Sequence, residues 1–280
     1  MALDPQIVGN KGEPTERFWT SNESLLYSLA VGAGLENPRS ELEYTTENSR
    51  DILQKAIPSF VGVLIGQKLP TTGNANLKML LHAEQAFTLH KPLATAGTLR
   101  SSNEIKEVWD KGSGGLLVLE TELLDLEDSR PLATMRSSLF IRGDGGFGGP
   151  KQPATDWELP SGKPDYEVAY GTSVQQALLY RLTGDRNPLH SDPAVAQKAG
   201  FDTPILHGMC SYGFTCRALL HTVADNEPEN FESMAGRFVK SVFPGDILTV
   251  SIWRDGKTAR FQTRSQDDSI VIDRGTMTIR

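Results

Sequence analysis

A short pattern occurs twice in this chain, in the same order, and that doubling constrains the fold more than any other feature. Leu25-Leu26-Tyr27-Ser28-Leu29 is echoed by Leu178-Leu179-Tyr180-Arg181-Leu182, and each copy is followed by a glycine-containing turn, at Gly32 and Gly184. Pro58-Ser59-Phe60-Val61-Gly62 is echoed by Pro204-Ile205-Leu206-His207-Gly208, each opening an apolar stretch compatible with a helix. The two offsets are 153 and 146 residues. A chain with such a repeat reads as two copies of one module.

Each half closes in β-rich runs. In the first, 104–110, 116–125 and 133–142 are divided by Lys111-Gly112-Ser113-Gly114-Gly115 and by a turn at Asp128-Ser129-Arg130-Pro131. In the second, 248–254, 259–264 and 269–273 alternate similarly, with turns at Asp255-Gly256 and Asp267-Asp268. A helix followed by an antiparallel meander, repeated, predicts the α+β class. Between the halves, Pro150, Pro153, Pro160 and Pro164 interrupt any periodicity. The expected organisation is therefore a first module at 1–150, a linker at 151–164 and a second module at 165–280.

One loop concentrates chemistry. Gly184-Asp185-Arg186-Asn187-Pro188-Leu189-His190 places a carboxylate, an amide and an imidazole in a proline-stiffened stretch. Asp185 and His190 together could hold one water molecule, the minimal equipment for acid–base addition or removal of water. Around the loop, 177–182 reads as a short helix and 193–199 as another, ended by Gly200. A longer helix is expected to start at Pro204 and run to about Val223. Its first turn includes Gly208, whose N–H could hold an oxygen that becomes negative during reaction. Plainer readings exist for each residue alone: Asp185 as a turn cap, Asn187 as ordinary pre-proline turn chemistry, His190 and His207 as satisfied histidines, Gly208 as a packing glycine. A metal site from Asp185, His190 and His207 is the chemical rival, although its spacing matches no recognised zinc pattern.

Other classes are disfavoured. Gly143-Asp144-Gly145-Gly146-Phe147-Gly148 satisfies a dinucleotide-binding pattern, but Pro150 and Pro153 stand where the phosphate-binding helix should begin, and no βαβ alternation surrounds it. A Gly-rich turn is the expectation there. The net charge of −7 argues against a nucleic-acid surface. No run of eighteen apolar residues predicts a membrane span, and neither a secretory leader nor a Ser-Lys-Leu ending is present. Cys210 and Cys216, six positions apart in the expected helix, read as reduced core residues. The expectation is a cytoplasmic protein.

The run from Tyr180 to Pro193, continued by Ala199-Gly200-Phe201 and Pro204-Ile205-Leu206-His207-Gly208, closely resembles the hydratase 2 motif of the MaoC-like dehydratase family. In the first half, Leu81-His82-Ala83-Glu84-Gln85, His90-Lys91-Pro92-Leu93, Asp110-Lys111-Gly112 and Arg142 to Gly149 look like the double-module (R)-specific 2-enoyl-CoA hydratases, so essentially the whole chain is covered. The resemblance implies a double hot-dog fold: two modules, each an antiparallel sheet wrapped around a helix, with chemistry in the second and an altered first module widened for long acyl chains. It puts the water-activating pair on Asp185 and His190, loop support on Asn187 and the oxyanion glycine on Gly208. Acyl-CoA contacts fall on His82, Ala83, Lys111, Arg186, Pro188, Leu189 and Phe238. Ala83 departs from the glycine of many relatives, which weakens inference about chain length. The implied reaction is reversible hydration of trans-2-enoyl-CoA to (R)-3-hydroxyacyl-CoA. It needs no metal, nicotinamide or flavin, and a homodimer is the implied assembly. Two alternatives stay open: a dehydratase acting on acyl carrier protein thioesters, and a non-catalytic acyl-thioester-binding module.

Overall fold

Ten strands form one antiparallel sheet in the computed structural model, which describes residues 3–65, 68–154 and 156–280. The first half of the chain supplies β1 (Thr15–Trp19), β2 (Leu80–Leu89), β3 (Gly97–Asp110), β4 (Gly114–Asp125) and β5 (Pro131–Arg142). The second supplies β6 (Tyr166–Gly171), β7 (Phe231–Phe238), β8 (Ile247–Asp255), β9 (Thr258–Ser265) and β10 (Ile270–Ile279). Their spatial order is β1-β3-β4-β5-β2-β7-β10-β9-β8-β6. Counted outward from the centre, both halves run through equivalent strands, so the repeat in sequence is a two-fold repeat in connectivity. The halves join where β2 pairs with β7, Ala86 opposite Ala235.

All six expected meander strands form, although β3 begins at Gly97 rather than 104 and β10 runs on to Ile279 rather than ending at 273. The additional strands β1, β2, β6 and β7 pair at the edges and at the junction, and lack a clean apolar alternation. β2 shows why: its register against β5 jumps from His82 opposite Leu139 to Glu84 opposite Ser138, leaving Ala83 as the extra residue of a bulge.

Among the described residues five α-helices accompany the sheet: α1 (Ser21–Ala30), α2 (Leu42–Thr45), α3 (Gln176–Tyr180), α4 (Pro193–Lys198) and α5 (Gly208–Thr222). Every residue of α5 from Cys210 to Leu220 is buried, as expected of a helix without a polar face at the centre of a fold. Backbones meet closely there. A Cβ on Gly213 would stand 2.3 Å from Val31 Cγ1, so only glycine admits the chain leaving α1. Both cysteines on α5 are buried and unbridged.

Two helix expectations need correction. α5 begins at Gly208, not Pro204, because the Leu206 N–H donates to the Val242 carbonyl at 2.7 Å and His207 is extended. The first-half stretch opened by Pro58 forms only a six-residue 3-10 turn, Pro58–Val63. β-Branched Val61, Val63 and Ile65 weaken a helix there, and Pro70 soon forbids one. Among the described residues the first half of the sheet therefore has no long helix in its concavity. Leu3 and Ile7 cover part of it, packing with Ile105, Leu117, Leu139 and Ile141. The remainder is a cavity.

The Gly-rich run after β5 is a turn, with Gly143, Gly146 and Gly148 all at positive φ. The Asp110 carboxylate gathers it by accepting the N–H groups of Gly146 and Gly148 at 2.9 Å each. Beyond it, the linker lies against the second half of the sheet, where Trp157 Nε1 donates to the Gly275 carbonyl.

Candidate active site

After α3 and a 3-10 turn at Arg181–Thr183, Gly184 at φ 137° reverses the chain into the loop. The Asp185 carboxylate accepts the Asn187 N–H at 3.0 Å, and the Asn187 side-chain oxygen accepts the Leu189 N–H at 3.0 Å. The Asn187 carbonyl then accepts the His190 N–H, closing a turn over Pro188–His190. The plain reading of Asp185 as a turn cap is thus correct, and the cap fixes how its carboxylate is presented. Asp185, Arg186, Asn187 and Pro188 are exposed, Leu189 is half-buried and His190 is 9% exposed.

His190 Nδ1 lies 2.9 Å from the Ile205 carbonyl. A carbonyl only accepts, so Nδ1 carries the proton and Nε2 is the basic nitrogen. Burial holds the imidazole below its usual pKa, against the opposing pull of that carbonyl and of Asp185. His207 stacks on it, ring centroids 3.8 Å apart and planes 27° from parallel. By the same argument His207 donates Nε2–H to the Asp185 carbonyl at 3.2 Å. Burial, reinforced by the neighbouring His190, lowers the His207 pKa to about 4. Both rings are therefore neutral at neutral pH.

Ligand atoms of Asp185, His190 and His207 lie within 4.8 Å of one another. The donor set suits water better than a metal ion: with Nε2 engaged, His207 offers only Nδ1, which is sealed without a hydrogen-bond partner among the described residues. What remains open is a carboxylate and one basic imidazole nitrogen, a pair able to hold a water and move its protons.

Gly208 completes the arrangement. It is the first residue of α5, so its N–H has no intrahelical acceptor and faces the positive end of a fifteen-residue helix. The residue is exposed and carries no side chain to block a ligand. The Phe238 ring flanks it, 3.4 Å from where a Cβ would stand. Phe238 packs in turn against His82, ring centroids 5.0 Å apart.

The bulge at Ala83 is what brings His82 into play. His82 and Gln85 are three residues apart, so strict alternation would put them on opposite faces of the sheet, yet both line the cavity. That cavity, about 360 Å³, runs from Tyr180, Gly184 and Asp185 past Met209 into the concavity of the first half. Tyr180 Oη and His82 Nε2 are buried at its wall with no hydrogen-bond partner among the described residues. Lys111 is placed elsewhere, exposed in the β3–β4 turn with its Nζ donating to Gln152.

Three features of the site went unassigned in the sequence. Tyr180 was legible as part of the repeat and as the start of the family motif, and His207 as a rival metal ligand or a satisfied histidine, neither with a role at the site. Glu84 accepts from Arg237 across the β2–β7 junction, Nε at 2.8 Å, and from Ser138 Oγ at 2.9 Å. This clamp sits between His82 and Phe238 in sequence and ties the two halves together beside the site. A charge pair across two strands far apart in sequence leaves no local signal.

Residues 157–274 match the MaoC like domain, and residues 18–143 match the MFE-2 hydratase 2 N-terminal domain. The 3-hydroxyacyl-thioester dehydratase Y of Mycobacterium tuberculosis is 42% identical over 261 residues, covering 91% of this chain and 88% of that protein. The chain belongs to the MaoC-like dehydratase family. The enoyl-CoA hydratase ChsH3 of the same organism is 37% identical, covering 97% of each chain. Among solved structures, a MaoC-like dehydratase from Phytophthora capsici superposes with a TM-score of 0.86 at 28% identity, covering 97% of this chain and 96% of that one. The double hot-dog architecture of the family accounts for the strand order above, with α5 as the wrapped helix of the second half. In the first half a short 3-10 turn stands in that helix's place.

Proposed function

We propose that the chain is a hydro-lyase that reversibly adds water to a trans-2-enoyl-CoA, giving the (R)-3-hydroxyacyl-CoA. The observation that carries this reading is the Asp185 carboxylate and the His190 imidazole held within 4.8 Å of one another, with Asp185 lining the cavity and Gly208 opening α5 next to Met209, which also lines it. A double bond conjugated to a thioester is electrophilic at C3. Water held by Asp185 and His190 loses a proton to that pair as its oxygen bonds to C3. Negative charge moves to the thioester oxygen, where the Gly208 N–H and the helix end receive it. A proton from the same pair then reaches C2, and the charge returns from oxygen to carbon. One water shared by two groups on one side of the substrate yields a single stereochemical outcome.

The acyl chain enters the first-half cavity, which is open because that half lacks a long helix. Phe238 and His82 flank the thioester, and the exposed face of the loop, Arg186 to Leu189, meets the CoA moiety. Lys111 belongs to the same reading as an outlying contact for CoA phosphates. No metal or redox cofactor is called for. A cytoplasmic homodimer completes the proposal, and two buried, unbridged cysteines fit a reducing compartment. No helix among the described residues is long and apolar enough to cross a membrane.

The test is steady-state kinetics of Asp185→Asn and His190→Ala on an enoyl-CoA. General acid–base groups contribute about 10²- to 10⁴-fold, about 3–5 kcal/mol of barrier. Each variant should lose at least about a hundredfold in kcat with KM little changed. Near-normal turnover in both would end the proposal.

A further inference from the structure

A tunnel for a plain hydrocarbon chain would be apolar to its end, and this cavity is not. Alternation along β3 and β4 turns Leu99, Ser101, Asn103 and Ile105, and Leu117, Leu119, Thr121 and Leu123, toward the interior, all of them buried. Asn103 and Thr121 are directly opposite each other. In the adjacent row Gln85 is opposite Ser137. All four polar side chains line the cavity, interleaved with the apolar Val63, Leu80, Leu119 and Leu139.

The polar groups are not equally satisfied. Ser137 Oγ donates to Gln85 Oε1 at 2.7 Å, and Gln85 Nε2 donates to the Ala86 carbonyl at 2.8 Å. Asn103 Nδ2 donates to the Lys68 carbonyl at 2.8 Å, which fixes the orientation of the amide because that carbonyl only accepts. Asn103 Oδ1 is left buried with no partner among the described residues, on a side chain only 8% exposed. An orphaned buried acceptor is destabilising by about 1–3 kcal/mol. It calls for a hydrogen-bond donor, and Thr121 beside it offers a hydroxyl able to donate in return. Among the described lining residues Asp185, at the reacting end, is the only charged one, so the far end suits an uncharged group.

We infer that the preferred substrate carries a hydroxyl group on its acyl chain, remote from the double bond, and that Asn103 and Thr121 bind it. The hydroxyl donates to Asn103 Oδ1 and accepts from Thr121 Oγ1. A keto oxygen cannot replace it, because it has no proton for Asn103. This inference rests on the enoyl-CoA reading and narrows its substrate class.

The experiment compares kcat/KM for trans-2-enoyl-CoA thioesters of equal length that are unsubstituted, hydroxylated or keto-substituted, with the substituent moved stepwise outward from C5. Crotonyl-CoA, too short to carry such a group, serves as control. At one position the hydroxylated thioester should exceed both others by at least about tenfold, the worth of about 1.4 kcal/mol of hydrogen bonding. Asn103→Leu and Thr121→Val should abolish the preference while leaving crotonyl-CoA turnover within about twofold, and Thr121→Ser should retain it. Absence of a preference at every position, or one that survives both substitutions, overturns the inference while the reaction stands. Failure to hydrate any of these thioesters overturns the enoyl-CoA reading instead.

Discussion

His207 should make the protein acid-sensitive in a way that one substitution removes. The residue is 1% exposed, and burial together with the stacked His190 ring lowers its pKa from 6.5 to about 4. Unfolding restores the ordinary value, so the unfolded chain binds the proton more readily. A folded pKa below the unfolded one gives stability that is complete above pH 6.5 and is lost as pH falls toward 4. Single-site linkage between these values gives a loss of about 2 kcal/mol between pH 7.5 and pH 5, and about 3 kcal/mol in full. His207→Gln keeps an N–H for the Asp185 carbonyl but cannot titrate. At pH 7.5 the variant should be less stable, having lost the stacking; by pH 5 the difference should have closed by about 2 kcal/mol. Urea unfolding followed by tryptophan fluorescence at the two pH values measures both proteins. A difference that stays constant or widens as pH falls would refute a neutral, buried His207 stacked on His190.

Other consequences concern the substrate groups. Gly208→Pro is a selective deletion of the proposed oxyanion donor: proline is favoured at the first helical position, and the extended His207 suits a following proline. The variant should unfold within a few degrees of the parent by thermal melt, yet lose about 10²- to 10³-fold in kcat; a fully active variant would remove Gly208 from the chemistry. Phe238→Ala, which strips the ring from His82 and from the thioester approach, should raise KM more than it lowers kcat. Lys111→Ala should also act on KM alone, and an unchanged KM would confine that lysine to its bond with Gln152.

The two-module plan was legible because a repeat and six strands with turn residues between them are local signals. The loop of the candidate site was legible for the same reason, since Asp185, Asn187 and His190 lie within six residues and organise themselves by hydrogen bonds over two or three positions. What escaped depends on pairing between distant segments. The bulge at Ala83 appears only when β2 is set against β5, and without it His82 and Gln85 look like opposite faces of one strand. The start of α5 was misplaced by four residues because the bond from Leu206 to Val242 outweighed the helix-initiating preference of Pro204. The polar pair Asn103 and Thr121 is unremarkable in sequence and becomes informative only once the strand phase shows both to be buried against a cavity.

The central claim is that Asp185, His190 and Gly208 add water to an enoyl thioester. Its most direct measurement is the decay of enone absorbance when the purified protein meets trans-2-enoyl-CoA thioesters of several lengths, followed by chiral resolution of the product. Loss of absorbance with accumulation of the (R)-3-hydroxyacyl thioester is the predicted result. Saturable binding without loss of absorbance at any length would contradict the claim and leave an acyl-thioester-binding module.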